Sequence, residues 1–295
     1  MTYATLLEDR GFVSVTGPDA EKLLGGLITN EMSVLDAAPA LYAALLAPQG
    51  KILFDFFVVK TADGFLLDTL RERAGELAKR LAMYKLRADV DIREVSADFV
   101  VGAVWDGAPA PQDGVSFGVQ VYADPRLAPL GYRLIARAGT TGSDVAAAVG
   151  GVETSSGAYH AHRIGLGVPE GGRDFAFGDT FPHEALLDQL NGVSFTKGCF
   201  VGQEVVSRMQ HRTTVRKRVV TVVADAALPT EPVPISIGTV EIGRLGSVAG
   251  LRGLALVRID RVAEANRDGI SLTAGGVTVR AEVPAFATFR IEAAA

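Results

Sequence analysis

The stretch that follows residue 212 constrains the fold most strongly, because it consists of short β-rich runs separated by glycine turns. Its runs include V-V-T-V-V, V-E-I-G-R-L and L-A-L-V-R-I, and it closes with a hairpin pattern, I-S-L-T-A-G-G-V-T-V-R-A-E-V. Short strands at even spacing with glycine turns are typical of a small barrel or sandwich. Residues 213–295 are therefore predicted to form a separate β domain.

The residues before that point alternate between strand and helix patterns. Pro18, followed by acidic residues, predicts the start of a helix. Turn residues at 48–50 join two apolar strands, and charged, Leu/Ala-rich residues predict a helix over 71–86. Pro/Gly-rich residues 105–131 predict a loop-rich excursion. The sequence thus predicts an α+β body over residues 1–212, followed by the β domain.

Composition and charge exclude several classes of protein. The chain is 48% hydrophobic and 21% charged, and no apolar run approaches the ~20 residues of a membrane-spanning helix. The N-terminus carries two acids by residue 9 and no basic or long apolar stretch, which predicts a cytoplasmic protein without a membrane partner. The formal net charge of −5 argues against a general nucleic-acid binder, with one local exception in the basic stretch 211–218.

Cys199 is the one cysteine of the chain, so no intrachain disulfide can form. A single thiolate also cannot supply the ligands that usually hold an iron–sulfur cluster. The four histidines show no H-E-x-x-H spacing, and no C-x-x-C occurs. We therefore expect no intrinsic metal site.

Polar residues and glycines surround this cysteine in the segment K-G-C-F-V-G-Q-E, residues 197–204. Gly198 and Gly202 allow tight turns or a close approach to a ligand. Lys197 and a following helix N-terminus would favour a thiolate if the side chain of Cys199 faced them. The alternative is that Cys199 is a small buried hydrophobic residue next to Phe200.

A helix is predicted to start directly after Gly202. Glu204 would lie near its positive end, and Glu204 with Arg208 would form a favourable i,i+4 ion pair.

The segment 197–204 resembles the K-G-C-[FY]-x-G-Q-E signature of the YgfZ family, the folate-binding relatives of the glycine-cleavage T protein. Similarity continues in V-T-G-P-D-A-E-K-L-L near the start, in A-P-Q-G-K-I-L-F-D, and in P-H-E-A-L-L-D with G-V-S-F ahead of the signature. The resemblance covers nearly the whole chain. It implies two α+β domains that bind tetrahydrofolate around a central cavity, and a C-terminal antiparallel β-barrel.

The resemblance also implies a function. The protein is expected to be a tetrahydrofolate-binding accessory factor for assembly or repair of iron–sulfur proteins, with iron–sulfur client or assembly proteins as partners. Two alternatives stay open: a folate-dependent one-carbon transferase acting through Asp55, and a tRNA-modification partner that uses the basic stretch.

Residue by residue, the resemblance assigns a candidate site. Cys199 and Asp55 are the candidate catalytic residues, and Asp55 matches the aspartate that acts in the T protein; alternatively, it is a strand-end acid facing solvent. The candidate cofactor-binding residues are Lys197, Gly198, Gly202, Gln203, Glu204, Glu184, Asp68 and Arg208.

Glu184 has two possible roles, and Asp68 lies at a point where the chain departs from the T protein. Glu184 matches a Pro-x-Glu element and either contacts the pterin or ties the domains together through Arg163. Asp68 stands near a position where the T protein has a folate-contacting asparagine, and G-Y-R-L-I at 131–135 lacks an acid that the T protein carries.

Basic residues cluster near the predicted domain boundary: Arg208, Arg212, Arg216, Lys217 and Arg218. They could bind an anionic folate tail or contact tRNA. They could equally be solvated surface charges that need no further explanation.

Overall fold

The structure is a computed structural model, and it describes residues 1–107, 118–211 and 215–292. The chain divides into two compact units. The first unit comprises residues 1–48, 53–159 and 190–203. The second comprises residues 49–52, 160–189 and 204–295. Segment 160–189 thus groups with the C-terminal residues, while the predicted division at residue 212 stays a prediction.

One five-stranded sheet of the first unit has the order β3-β4-β5-β2-β6. Its strands and the helices beside it occupy these ranges: β2 Arg10–Thr16, α1 Ala20–Leu27, β3 Ala40–Leu46, β4 Ile52–Thr61, β5 Gly64–Leu70, α2 Arg71–Lys85 and β6 Asp91–Glu94. A 3₁₀-helix covers Met32–Asp36. Apolar side chains of both helices and of the sheet form one buried core, which confirms the predicted helix over 71–86.

A glycine is required at the turn between β4 and β5. Gly64 has φ +146°, and a Cβ atom placed there would lie 2.5 Å from the backbone oxygen of Val15 on the neighbouring strand β2. Only a residue without a side chain can hold this conformation so close to the next strand. Strands β4 and β5 thus form an antiparallel hairpin.

The other sheet of the first unit has the order β10-β1-β7-β9-β8. The ranges of its strands and of helix α3 are β1 Tyr3–Leu6, β7 Phe99–Trp105, β8 Gly118–Ala123, β9 Tyr132–Arg137, α3 Gly142–Ala148 and β10 Val152–Glu153. Of the loop-rich excursion predicted over 105–131, residues 108–117 lie outside the described residues. The remainder contains strand β8 and a 3₁₀-helix, Ala128–Leu130, so it is more regular than the Pro/Gly content indicated.

Helices α4 Ser156–Leu166 and α5 Gln203–His211 lie at the boundaries between the sequence segments of the two units. Neither these helices nor any other described helix is long and apolar enough to cross a membrane.

The second unit contains a closed six-stranded barrel, with the order β11-β14-β13-β12-β15-β16 and antiparallel pairing between neighbouring strands. Its elements are β11 Lys217–Ala224, β12 Pro234–Ile237, β13 Val240–Ala249, β14 Arg252–Arg258, α6 Ile259–Arg267, β15 Leu272–Ala274 and β16 Val277–Glu282. Inward-facing aliphatic residues fill the interior. The predicted β domain is therefore a barrel, not a sandwich.

Candidate functional site

The thiol loop, residues 197–202, presents Cys199 to solvent. Cys199 is a free, exposed cysteine, and Gly198 beside it is exposed as well. Lys197 and Phe200 on either side are only 8% exposed, and Val201 packs against the core of the first unit. The thiol is therefore not a buried filler. It is held at the surface by a backbone whose flanking side chains are anchored inside.

Lys197 anchors this loop through its ammonium group. Its Nζ donates hydrogen bonds to the carbonyl oxygens of Gly25, Ile28 and Asn30, at 2.9, 2.7 and 2.9 Å. These carbonyls lie at the C-terminal end of α1, where a cation also interacts favourably with the helix dipole. Since an ammonium group has three protons, all of its donors are used here. Lys197 thus serves as a structural cap in this geometry, and its role in cofactor binding stays a prediction.

Two further side chains fix the residues that precede the thiol loop. Thr29 Oγ1 donates to the carbonyl oxygen of Gly192 at 2.6 Å, and the Asn30 side-chain amide donates to the carbonyl oxygens of Tyr42 and Asn191 at 2.8 and 2.7 Å. Both side chains are buried. The loop is therefore attached to the core of the first unit on its N-terminal side as well.

The glycines of the loop differ in what they require. Gly202 has φ +81°, a conformation that favours glycine, and it directly precedes α5. Gly198 has no positive φ, and a Cβ atom there would meet nothing within 4 Å, so the backbone does not require a glycine at 198. The backbone N–H of Gln203 donates to the carbonyl oxygen of Phe200 at 3.2 Å, which closes the turn.

The predicted helix after Gly202 is confirmed as α5, and the predicted ion pair is present on it. Arg208 Nη2 lies 2.8 Å from Glu204 Oε1, with both side chains largely exposed. A pair of this kind adds a few tenths of a kcal/mol to helix stability. Nothing in this geometry directs Glu204 or Arg208 toward a ligand, so their role in cofactor binding stays a prediction.

Asp55 lies inside strand β4 and is buried, so it is not a solvent-facing strand-end acid. Its Oδ2 accepts a hydrogen bond from the hydroxyl of Tyr42 at 2.8 Å. Burial of the hydroxyl, followed by the negative charge of Asp55, raises the pKa of Tyr42 well above its ordinary value. The hydroxyl therefore keeps its proton and remains a donor. The arrangement holds a carboxylate in a low-dielectric environment with a fixed orientation.

Asp68 is completely buried and belongs to an ion-pair network. Its Oδ1 lies 2.6 Å from Arg10 Nε and its Oδ2 lies 2.8 Å from Arg133 Nη2. Arg10 also donates to the backbone oxygen of Asp68 at 2.8 Å. Because both carboxylate oxygens are engaged by arginines, Asp68 has a structural role here, and a folate contact by this residue stays a prediction.

The network continues to a second aspartate. Arg126 makes a two-point contact with Asp124, at 3.0 and 2.8 Å, and Asp124 is also 3.9 Å from Arg133. Burial alone would raise the pKa of Asp124, but the charges of Arg126 and Arg133 outweigh it and lower that pKa. We call Arg10, Asp68, Asp124, Arg126 and Arg133 the arginine–aspartate cluster.

The ring of Phe57 lies against three arginines of this cluster, with guanidinium carbons 5.8, 4.9 and 4.3 Å from its centroid for Arg10, Arg126 and Arg133. Such cation–π contacts stabilise desolvated arginines. Sequence reasoning missed the cluster, since the ion pairs that join Asp68 to Arg10 and Arg133 span 58 and 65 positions of the chain.

Glu184 and its neighbours belong to the second unit. Glu184 Oε2 accepts the backbone N–H of Phe181 at 2.8 Å, and burial raises the pKa of this carboxyl. Arg163 donates to Asp174 Oδ2 at 2.7 Å and lies 3.3 Å from Glu170 Oε2. Arg163 thus has other acidic partners than the one predicted, and the pterin contact of Glu184 stays a prediction.

The basic cluster does not form a uniform surface. Arg218 is 7% exposed, and its guanidinium binds the backbone oxygen of His183 and the carboxylate of Asp188, at 2.9 and 3.0 Å. Arg216 and Lys217 are exposed, and Arg212 lies outside the described residues. Arg218 is therefore removed from the predicted tail-binding or tRNA-binding surface, and the remaining contacts stay predictions.

Comparison with known proteins supports this architecture. Residues 216–289, which contain the barrel, match the family model described as "CAF17, C-terminal beta-barrel domain". The crystal structure of glycine cleavage system aminomethyltransferase T from Bartonella henselae matches with a TM-score of 0.75 and 16% identity, covering 97% of this chain and 86% of that one.

The chain is also similar to iron–sulfur cluster assembly factors of several organisms. "Iron-sulfur cluster assembly factor IBA57, mitochondrial" of Homo sapiens is 34% identical over 280 residues, which are 87% of this chain and 77% of the relative. The Mus musculus protein of the same name is 34% identical over 282 residues, with the same coverage. The Mycosarcoma maydis homologue is 37% identical over 225 residues, and the chain spans about half (54%) of its length.

The fold therefore defines a glycine-cleavage-T-like protein with a C-terminal β-barrel, as the sequence predicted. Identity and coverage then place the chain more narrowly: it belongs to the IBA57 family of iron–sulfur cluster assembly factors. Membership of the YgfZ family itself stays a prediction.

The predicted cytoplasmic location is wrong by the same comparison. The human, mouse and Mycosarcoma maydis relatives are all named mitochondrial proteins.

Proposed function

We propose that this protein assists the assembly of iron–sulfur proteins by offering Cys199 as a thiolate ligand to cluster iron that a partner protein also holds. The observation that carries the proposal is the exposure of Cys199 on a loop anchored by Lys197 and Phe200. The family name supports the same class of function. The cluster is the cargo of the reaction, and a client or assembly protein is the partner.

The chemistry is a ligand exchange at iron. The thiol of Cys199 loses its proton to solvent, and the thiolate displaces one existing ligand from the iron atom, with no change in oxidation state. Since one thiolate cannot complete a cluster, the remaining ligands come from the partner. An anchored loop limits the entropy lost when the ligand is fixed in place.

Complementation tests the role of this thiol. Cys199→Ala and Thr196→Ala are expressed in cells that lack the native protein, and iron–sulfur enzyme activities are measured alongside the abundance of each variant. Thr196 is an exposed neighbour in the preceding segment and serves as the matched control. We expect Thr196→Ala to restore activity and Cys199→Ala to fail at equal abundance. Full restoration by Cys199→Ala would refute the proposal.

We further propose that the protein binds tetrahydrofolate. A reduced pterin presents N–H donors, which carboxylates accept. Asp55 has this chemistry and is fixed by Tyr42, and Glu184 has it in the second unit, whereas both oxygens of Asp68 are already engaged. Fold likeness to an aminomethyltransferase T supports this proposal, and Asp55 of the first unit is the residue that would hold the pterin.

Calorimetric titration with tetrahydrofolate tests this second proposal. Asp55→Asn keeps the shape of the side chain but removes its charge, and we expect it to weaken binding by about 10- to 100-fold. Asp91→Asn, at an exposed acid of β6, is the control and should leave the affinity unchanged. Absence of measurable heat with the wild-type protein, or equal affinity for both variants, would contradict the proposal.

A one-carbon transferase is the alternative function, and the buried Asp55 favours it, because a carboxylate oriented by the hydroxyl of Tyr42 can act as a general base. Turnover of a methyl or aminomethyl donor with tetrahydrofolate, retained in Cys199→Ala and lost in Asp55→Asn, would establish this function. Activity that depends on Cys199 alone, without turnover, would exclude it.

A further inference from the structure

A second feature of the first unit is a surface groove of about 480 Å³ between α1 and the C-terminal end of α2. Leu23 and Leu27 of α1 give it an apolar floor, and Gly26 leaves room between them, since a Cβ atom there would meet nothing within 4 Å. Tyr84 and Leu86 line the opposite side. Its volume is in the range of sites that accommodate a few side chains or a small ligand.

Leu86 at the rim has no evident role in folding. It ends α2 with φ +48° and ψ −106°, a conformation that is strained for a leucine and relaxed for a glycine. Its side chain is 88% exposed, and Met83 one turn earlier is 69% exposed. A strained backbone combined with an apolar side chain left in water is a feature more typical of a binding surface than of a helix end.

The charges around the groove are mostly positive. Lys22, Lys85 and Arg87 line it, and the one acid among its lining residues is Asp19. Asp19 Oδ2 accepts the backbone N–H of Asp89 at 2.8 Å, so part of its charge is used internally. The groove is therefore locally basic on a chain whose formal net charge is −5.

We propose that this basic groove binds an acidic, amphipathic segment of a partner protein. Apolar side chains of that segment would enter between Leu23 and Leu86, while its carboxylates would face Lys22, Lys85 and Arg87. A protein segment fits better than a small ligand, because Leu86 and Met83 project from the surface instead of enclosing a cavity. Helix-in-groove recognition uses the same combination of apolar anchors and flanking charge.

Selection from a library of displayed random 16-residue peptides tests the groove without knowledge of the partner. Gly26→Trp would fill the groove with a side chain that has room there, and Gly75→Trp is the matched control on α2, where the glycine is also unobstructed. We expect enriched peptides to be acidic with apolar residues spaced three or four apart. They should bind the wild type and Gly75→Trp equally, and Gly26→Trp more weakly by about tenfold or more.

Leu86→Gly separates binding from folding. Because glycine relieves the strain at this position, we expect a higher melting temperature together with weaker binding of the selected peptides. A lower melting temperature would show that Leu86 serves the fold and would overturn the proposal. The proposal would also be overturned if no peptides were enriched, if the enriched peptides were basic, or if they bound Gly26→Trp as well as the wild type. Binding of the fatty acid decanoate in the groove, with no peptide bound, would overturn it as well.

Discussion

The arginine–aspartate cluster and the thiol loop lie in the same unit, yet they differ in which of their side chains are buried and which are exposed. In the cluster, every charge is buried and paired, with Asp68 completely inaccessible between Arg10 and Arg133. In the thiol loop, the charge of Lys197 is buried and the reactive group, Cys199, is exposed. The buried, paired charges of the cluster therefore hold the scaffold together, whereas the thiol loop buries its anchor and leaves its thiol open to a partner.

The largest expected effect concerns the cluster. Asp68→Asn leaves the guanidinium groups of Arg10 and Arg133 buried without their counter-charge, so we expect the free energy of unfolding to fall by about 3–5 kcal/mol in urea denaturation. Asp91→Asn is the control, since Asp91 pairs with Arg93 at 2.6 Å on the surface. It should change stability by less than about 0.5 kcal/mol. Similar effects of both substitutions would show that the cluster is not a structural element.

Lys197→Met tests the anchor of the thiol loop and should have a slightly smaller effect. The methionine fills similar space but leaves three carbonyl oxygens at the end of α1 without their donor, for a loss of about 3 kcal/mol. Lys60→Met, at a side chain that is half exposed, is the control and should be nearly neutral. A neutral Lys197→Met would instead favour a role for this lysine at the thiol.

In the second unit, the buried His183 is expected to make the stability of the protein depend on pH. Burial lowers the pKa of this histidine below 6.5, although the charge of Asp188 opposes the shift. The unfolded chain therefore binds the proton first as the pH falls, and stability is lost as the pH drops through 6.5 toward the lower folded pKa. We expect His183→Gln to flatten that part of the pH profile of the melting temperature, by less than either substitution above.

His211, which is exposed at the end of α5, provides the comparison for this measurement. His211→Gln should leave the pH profile unchanged, and an equal flattening by both variants would contradict the assignment to His183.

Cys199→Ala should have the smallest effect on stability, because Cys199 is exposed whereas the groups changed above are buried. Removal of an exposed side chain is expected to change the free energy of unfolding by less than about 0.5 kcal/mol. The native protein should also react with iodoacetamide at one site, at a rate close to that of the urea-unfolded chain. Slow alkylation of the native protein would show that the thiol is shielded.

The elements were predictable where local sequence decides them. Helix α2 follows from its spacing of leucine and alanine residues, and the barrel from its short strands and glycine turns. The loop content predicted for residues 105–131 was too high. Strand β8 in this segment is held by pairing with β9, which local composition does not reveal.

The candidate site was predictable only in part. The position of Cys199 before a helix could be read from the sequence, but its exposure depends on how Lys197 and Phe200 are buried. Its position two residues before Cys199 suggested that Lys197 acts on the thiol. The carbonyl oxygens that its ammonium group binds instead lie 167–172 positions away in the chain. The double pairing of Asp68 likewise arises from residues on three strands, which no spacing rule connects.

Closure of the barrel has a consequence for truncated forms of this protein. Strand β16 pairs with β11 on one side and β15 on the other, so it seals the cylinder. A chain that stopped before Val277 would expose two rows of unsatisfied backbone groups at once, on the valine-rich strand β11 and on β15. Such a fragment should self-associate through those open edges, so loss of the short strand β16 should damage the whole barrel.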